Sequence, residues 1–155
     1  MKKVDPKKYK GLEMSRVAKR ILYESPEKFA KCCNGVGSQT GFWNKIVYKL
    51  IPDNYYYFKF FGLSFRPCAD IHDVEYTYPK VFHTIEDALL WKKLADKRFF
   101  KNCRRLIKMR TKWRWLRKIR LEKARLYRWA LTNFGKEAFL YGKEILEKEE
   151  QYVRR

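Results

Sequence analysis

His72, Asp73 and Tyr76 fall close together in the stretch that runs from Ser64 to Tyr78. A helix over this stretch puts His72 and Tyr76 on one face, because residues four apart stack one turn above each other. Asp73 then points about 100° away. One helix can so present a base on one side and a carboxylate on the next. That arrangement suits a proton-transfer group working beside a metal-bound oxygen.

Several elements must position these residues. Ser64 can cap the helix, Pro67 fits its first turn and Pro79 stops it. Thr84 to Asp87 resembles a capping box with Asp in place of Glu, and opens a long helix from Ile85 to about Met109. Its expected core face is Leu89/Leu90, Lys93/Leu94, Asp96/Lys97, Phe100, Cys103 and Ile107, with Asp96 the odd member. A carboxylate on an apolar stripe costs free energy unless it has a partner. Asp96 either sits at the edge of the stripe, paired with a lysine, or meets His72 across the helix interface. The connection between the two helices is short, which makes antiparallel neighbours. Tyr76 would then reach the same carboxylate. An aspartate behind a histidine fixes its tautomer and stabilises the imidazolium. Asp73 would face the glycine-rich segment 32–41, with Gly35, Gly37 and Gly41. That segment is either a plain turn or a loop whose carbonyls and amides face an ion. A carboxylate beside backbone carbonyls is a hard-oxygen set suited to Ca²⁺.

In these residues the chain resembles the phospholipase A2 superfamily. Cys33-Asn-Gly35-Val-Gly37 resembles its calcium loop, and Cys68 to Tyr76 its active-site helix with the hallmark His-Asp-x-x-Tyr. Ala95-Asp96-Lys-Arg-Phe99 resembles the Ala-Asp-x-x-Phe segment of the compact viral and bacterial members. The likeness covers roughly residues 30–107. It implies a core of two antiparallel helices and a calcium loop, and calcium-dependent hydrolysis of the sn-2 ester of glycerophospholipids at a membrane surface. His72 would be the general base, oriented by Asp96 with Tyr76 in support. Asp73 and the carbonyls of Cys33, Gly35 and Gly37 would hold Ca²⁺, and the Gly35 N–H would help bind the oxyanion. Asn34 and Ala69 stand where the family has cysteines, so that family disulfide cannot form. Ser38 replaces a second consecutive glycine. Loss of the bridge agrees with a reducing compartment and leaves the loop less constrained.

The rest of the chain reads as a single mainly α domain over residues 1–155, with a basic helical extension at 108–155. The formal net charge is +20, and from Lys97 to Arg128 fifteen Lys/Arg face one acid, Glu122. Such a surface attracts phosphate, whether on an anionic membrane or on nucleic acid. A non-catalytic nucleic-acid-binding protein is therefore the rival reading, with the tryptophans of this region stacking on bases. A zinc site at Cys32, Cys33, Cys68 and His72 is set aside, because adjacent cysteines chelate poorly. His83 reads as a surface residue. Short helices are expected at 12–23 and after Ser25-Pro26, and an amphipathic helix at 42–51. Tyr55 to Phe61 is a buried strand or an aromatic flap on a lipid surface. One or two basic amphipathic helices follow, ended by Gly135 as a C-cap, and a last helix spans 136–153. The N-terminus lacks the apolar stretch of a secretory signal, and no run approaches the ~18 apolar residues of a membrane span. The expected location is cytoplasmic, with peripheral membrane association. Nothing in the sequence sets an oligomeric state.

Overall fold

Side-chain caps start two of the five described α-helices. The structure is a computed structural model. It describes residues 4–33 and 63–146, and among these the chain is mainly helical. A 3-10 turn at Pro6–Tyr9 leads to α1 (Arg16–Glu24) and α2 (Pro26–Cys32). Ser15 caps α1 by accepting from the Ala18 N–H, so the helix begins at Arg16 rather than at Leu12. Ser25 closes α1 and opens α2, with Pro26 in the first turn, but it makes no side-chain cap bond. Next come α3 (Arg66–Thr77), β1 (Val81–Phe82), α4 (Ile85–Arg110), α5 (Arg114–Leu140) and β2 (Glu144–Ile145). Phe65 is the cap of α3, while the Ser64 hydroxyl accepts from the Arg66 N–H. The Thr84 hydroxyl accepts from the Asp87 N–H at 3.0 Å and starts α4. The two short strands pair in parallel. The glycine-rich loop beyond Cys33, the helix expected at 42–51 and the Tyr55–Phe61 aromatics lie outside the described residues.

α3 is buried on nearly every side. Ile71 and Val74 pack against Tyr9, Ala18, Leu22 and Phe29 from the N-terminal segment, α1 and α2. Cys68 and Ala69 pack with Phe99, Cys103 and Leu106 of α4 and with Ala124 and Tyr127 of α5. The contacts run in opposite directions along α3 and α4. Cys68 lies against Cys103, His72 against Asp96, and the Trp91 indole donates to the Glu75 carbonyl at 2.8 Å. These two helices are therefore antiparallel. All four cysteines are free thiols.

Two features depart from the pattern of the sequence. The inward face of α4 is Ala88, Lys92, Ala95, Asp96, Phe99, Asn102, Cys103, Leu106 and Ile107, whereas Leu90 and Leu94 are exposed. The face is turned by about one residue, because Lys92 and Asn102 are buried in place of leucines. Gly135 is not a C-cap: α5 runs through it to Leu140, and a turn and β2 follow where a last helix was expected. No described helix is long and apolar enough to cross a membrane.

Buried polar groups tie the layers together, as they must, because an unpaired buried charge is costly. The fully buried Glu75 accepts from the Ser15 N–H at 2.7 Å and from Arg98 Nε at 2.9 and 3.0 Å. Asn102 exchanges two 2.7 Å hydrogen bonds with the backbone of Glu13.

Candidate active site

His72 and Tyr76 lie one turn apart on α3, and Lys92 and Asp96 lie one turn apart on α4. Antiparallel packing brings the other three onto the Asp96 carboxylate. His72 Nε2 is 2.9 Å from Asp96 Oδ1, and the Tyr76 hydroxyl donates to the same oxygen at 2.7 Å. Lys92 Nζ donates to Asp96 Oδ2 at 2.7 Å and to the Leu131 carbonyl of α5 at 3.0 Å. An ionised carboxylate only accepts, so Nε2 carries the proton and Nδ1 keeps its lone pair. The imidazole sits between the rings of Tyr76 and Phe99, at centroid distances of 4.0 and 5.2 Å. It is only 6% exposed, so its orientation is held by packing as well as by Asp96.

Burial pushes the Asp96 carboxyl up. The hydrogen bond and charge of His72, with the hydrogen bonds of Lys92 and Tyr76, outweigh burial and hold it below the ordinary carboxylate value. Tyr76 moves the other way. Burial first, then the charge of Asp96 and the bond to it, push its hydroxyl far above the usual phenol value, so it stays a donor. Lys92 is the member that sequence reasoning missed. Its signal was the i,i+4 spacing to Asp96, which normally marks a solvated surface pair. Here the pair is buried.

Gly135 lets α5 close over this cluster. A Cβ at this position would stand 3.0 Å from the Tyr76 hydroxyl and 3.4 Å from Lys92 Nζ. In an unobstructed helix interior Gly→Ala gains about 1 kcal/mol, whereas overpacking a tight site costs about 1–3 kcal/mol. Gly135→Ala is therefore expected to lower the thermal midpoint. A higher midpoint would show that the contact yields without displacing Tyr76.

On the other side of α3, the sequence-predicted ion ligands divide. Asp73 is partly exposed and lies near Cys32 and Cys33. Burial is the main cause that pushes both thiols up, and the charge of Asp73 adds to it in each. Gly35 and Gly37 lie outside the described residues. The Cys33 carbonyl accepts from Arg66 Nη2 at 3.0 Å, and Arg66 Nε donates to Asp70 at 2.7 Å. Lys8 and the Tyr9 hydroxyl also donate to Asp70, at 2.6 and 3.0 Å. The Asp73 carboxylate fits a hard cation such as Ca²⁺. The Cys33 carbonyl does not, because a guanidinium already sits on it and repels a second positive charge. A salt-bridged clamp of Asp70 and Arg66 thus holds Cys33, at the start of the glycine-rich segment. The described residues hold no group of three side-chain ligands suited to a metal. Cys68 faces Cys103, and His72 is engaged by Asp96.

With this geometry in hand, the chain was compared with models of known protein families, with curated proteins and with solved structures, and none of them matches it.

Proposed function

We propose that the chain is a phospholipase A2-like ester hydrolase acting on glycerophospholipids. One observation carries the reading: the His72–Asp96 contact, with Tyr76 on the same oxygen, reached across two antiparallel helices. In this reading a water molecule gives its proton to His72 Nδ1 as its oxygen attacks the sn-2 carbonyl carbon. Asp96 keeps the imidazole in the required tautomer and stabilises the imidazolium that forms. When the tetrahedral intermediate collapses, the imidazolium returns the proton to the departing glycerol oxygen. Asp73 and the backbone of Gly35 and Gly37 would hold Ca²⁺. Such an ion neutralises negative charge developing on the carbonyl oxygen. The Gly35 N–H would add a donor at the same place.

Lys92 distinguishes this site from a simple dyad. It shares Asp96 with His72, so part of the carboxylate's field is already neutralised before the imidazolium forms.

The test is fatty-acid release from anionic and zwitterionic vesicles, with and without calcium. Release is expected to stop in EDTA, to return with added Ca²⁺ and to be faster on anionic vesicles, where the basic helices add attraction. Turnover that survives EDTA would remove the metal role of Asp73. No release from either vesicle would sink the hydrolase reading.

The rival reading is a non-catalytic protein that binds nucleic acid or another anionic surface. It draws on the corner between α4 and α5, where exposed Trp113 and Trp115 stack at 6.0 Å amid basic residues. Tight, salt-sensitive RNA binding with no hydrolysis would favour it.

A further inference from the structure

A groove of about 500 Å³ opens between α4 and α5, built without any residue of α3. Phe100 and Arg104 line it from α4, and Leu121, Arg125, Arg128 and Trp129 from α5. Phe100 and Arg104 are four apart, and Leu121, Arg125 and Trp129 are likewise four apart with Arg128 three beyond Arg125, so each set shares a face. We infer that this groove is a binding site for a phosphate ester, separate from the His72–Asp96 site.

Three arginines line the groove, and one of them, Arg125, engages Glu122 at 2.5 Å. The Arg128 guanidinium lies over the Phe100 ring, 5.0 Å from its centroid. Arg104 makes no hydrogen bond or ion pair among the described residues. Like charges gathered this way repel, and an anion placed among them relieves the repulsion. Guanidinium forks match the several oxygens of a phosphate better than those of a single carboxylate. Beside Arg125 and Arg128 on α5, Trp129 stands edge-on to Phe134 at 5.3 Å and adds an apolar surface for the organic part of the ester. Each wall offers both a guanidinium and an aromatic ring, a combination that suits a phosphate carrying a small organic group. The site stands whether or not His72 hydrolyses esters. Its ligand has two sources, a soluble phosphate ester or the headgroup of a phospholipid.

The full chain is titrated with inorganic phosphate and with glycerol phosphate by equilibrium dialysis. The same protein is then bound to phosphatidylcholine vesicles with and without phosphatidic acid. Arg104→Gln/Arg128→Gln is compared with Arg114→Gln/Lys118→Gln, which removes equal charge from outside the groove. The groove pair is expected to lose about tenfold or more in affinity for glycerol phosphate, and the control pair about twofold or less. Arg128→Lys keeps the charge but not the fork, and is expected to fall between them. Circular dichroism identifies any variant that fails to fold, and Arg128→Lys then carries the comparison. Equal losses in both pairs would overturn the inference, because bulk charge alone would explain the binding. So would an absence of saturable binding at millimolar phosphate. If glycerol phosphate displaces the protein from phosphatidic-acid vesicles, the groove takes the lipid headgroup. If it binds in the groove without displacing it, the ligand is the soluble ester.

Discussion

Replacing His72 by glutamine is expected to abolish fatty-acid release while leaving the thermal midpoint close to that of the parent. A positioned general base contributes about 10²–10⁴-fold to rate, and glutamine has no basic nitrogen to take the proton. The glutamine amide can still donate to Asp96 Oδ1, replacing the 2.9 Å contact of Nε2. The carboxylate therefore keeps its three donors, and the rings of Tyr76 and Phe99 keep a planar group between them. This is what separates a chemical loss from a structural one. Vesicles hydrolysed at the parental rate by the glutamine variant would place the base elsewhere. A midpoint that collapses would show instead that the imidazole is mainly a packing residue.

The second large effect concerns stability and is independent of any activity. Asp96→Asn leaves the Lys92 ammonium buried, 9% exposed at the side chain, without its carboxylate. Removing one partner of a buried ion pair costs about 3–5 kcal/mol. In a domain of this size that lowers the midpoint by roughly 10 °C. Lys92→Met on top of Asp96→Asn removes the stranded charge and is expected to recover at least ~2 kcal/mol. Denaturant unfolding of the parent, the two single variants and the double variant measures this cycle. Additive losses would show that Lys92 and Asp96 are not coupled. The pH dependence has a definite sign. Asp96 titrates below its unfolded value of 3.8, so its contribution is present above that pH and lost as pH falls through the lower folded value. The gap between the parent and Asp96→Asn is therefore expected to narrow below pH 3.8.

The chemistry of this site was easier to see in the sequence than the packing around it. His72, Tyr76 and Asp96 stood out because a helix period and a short connection are enough to bring them together. Thr84, Pro26 and Pro79 marked boundaries because caps and prolines act locally. The inward face of α4 was displaced because Leu90 and Leu94 look like core residues, yet the stripe is set by what α3 and α5 present. α3 offers the Tyr76 ring and α5 the Leu131 carbonyl, and these cover Lys92 beside its partner Asp96 on the same helix. Gly135 misled for a related reason. A glycine late in a basic helix usually ends it, and only the approach of Tyr76 and Lys92 explains one in the middle. Arg66 holding the Cys33 carbonyl was likewise invisible, because it joins residues far apart in the chain.

Asn102 has a consequence for where this protein can work. Glu13 is joined to α4 twice, by its exposed carboxylate with Lys101 and Arg105 and by its backbone with the Asn102 amide. The first joint is ionic and loosens as mobile ions crowd around it. The second is neutral and sealed from solvent, with Asn102 acting like a rung borrowed from a neighbouring strand. A molecule carrying +20 holds a cloud of mobile anions that grows denser as salt is added. The N-terminal segment stays latched in that cloud, because its inner fastening carries no charge for the ions to screen.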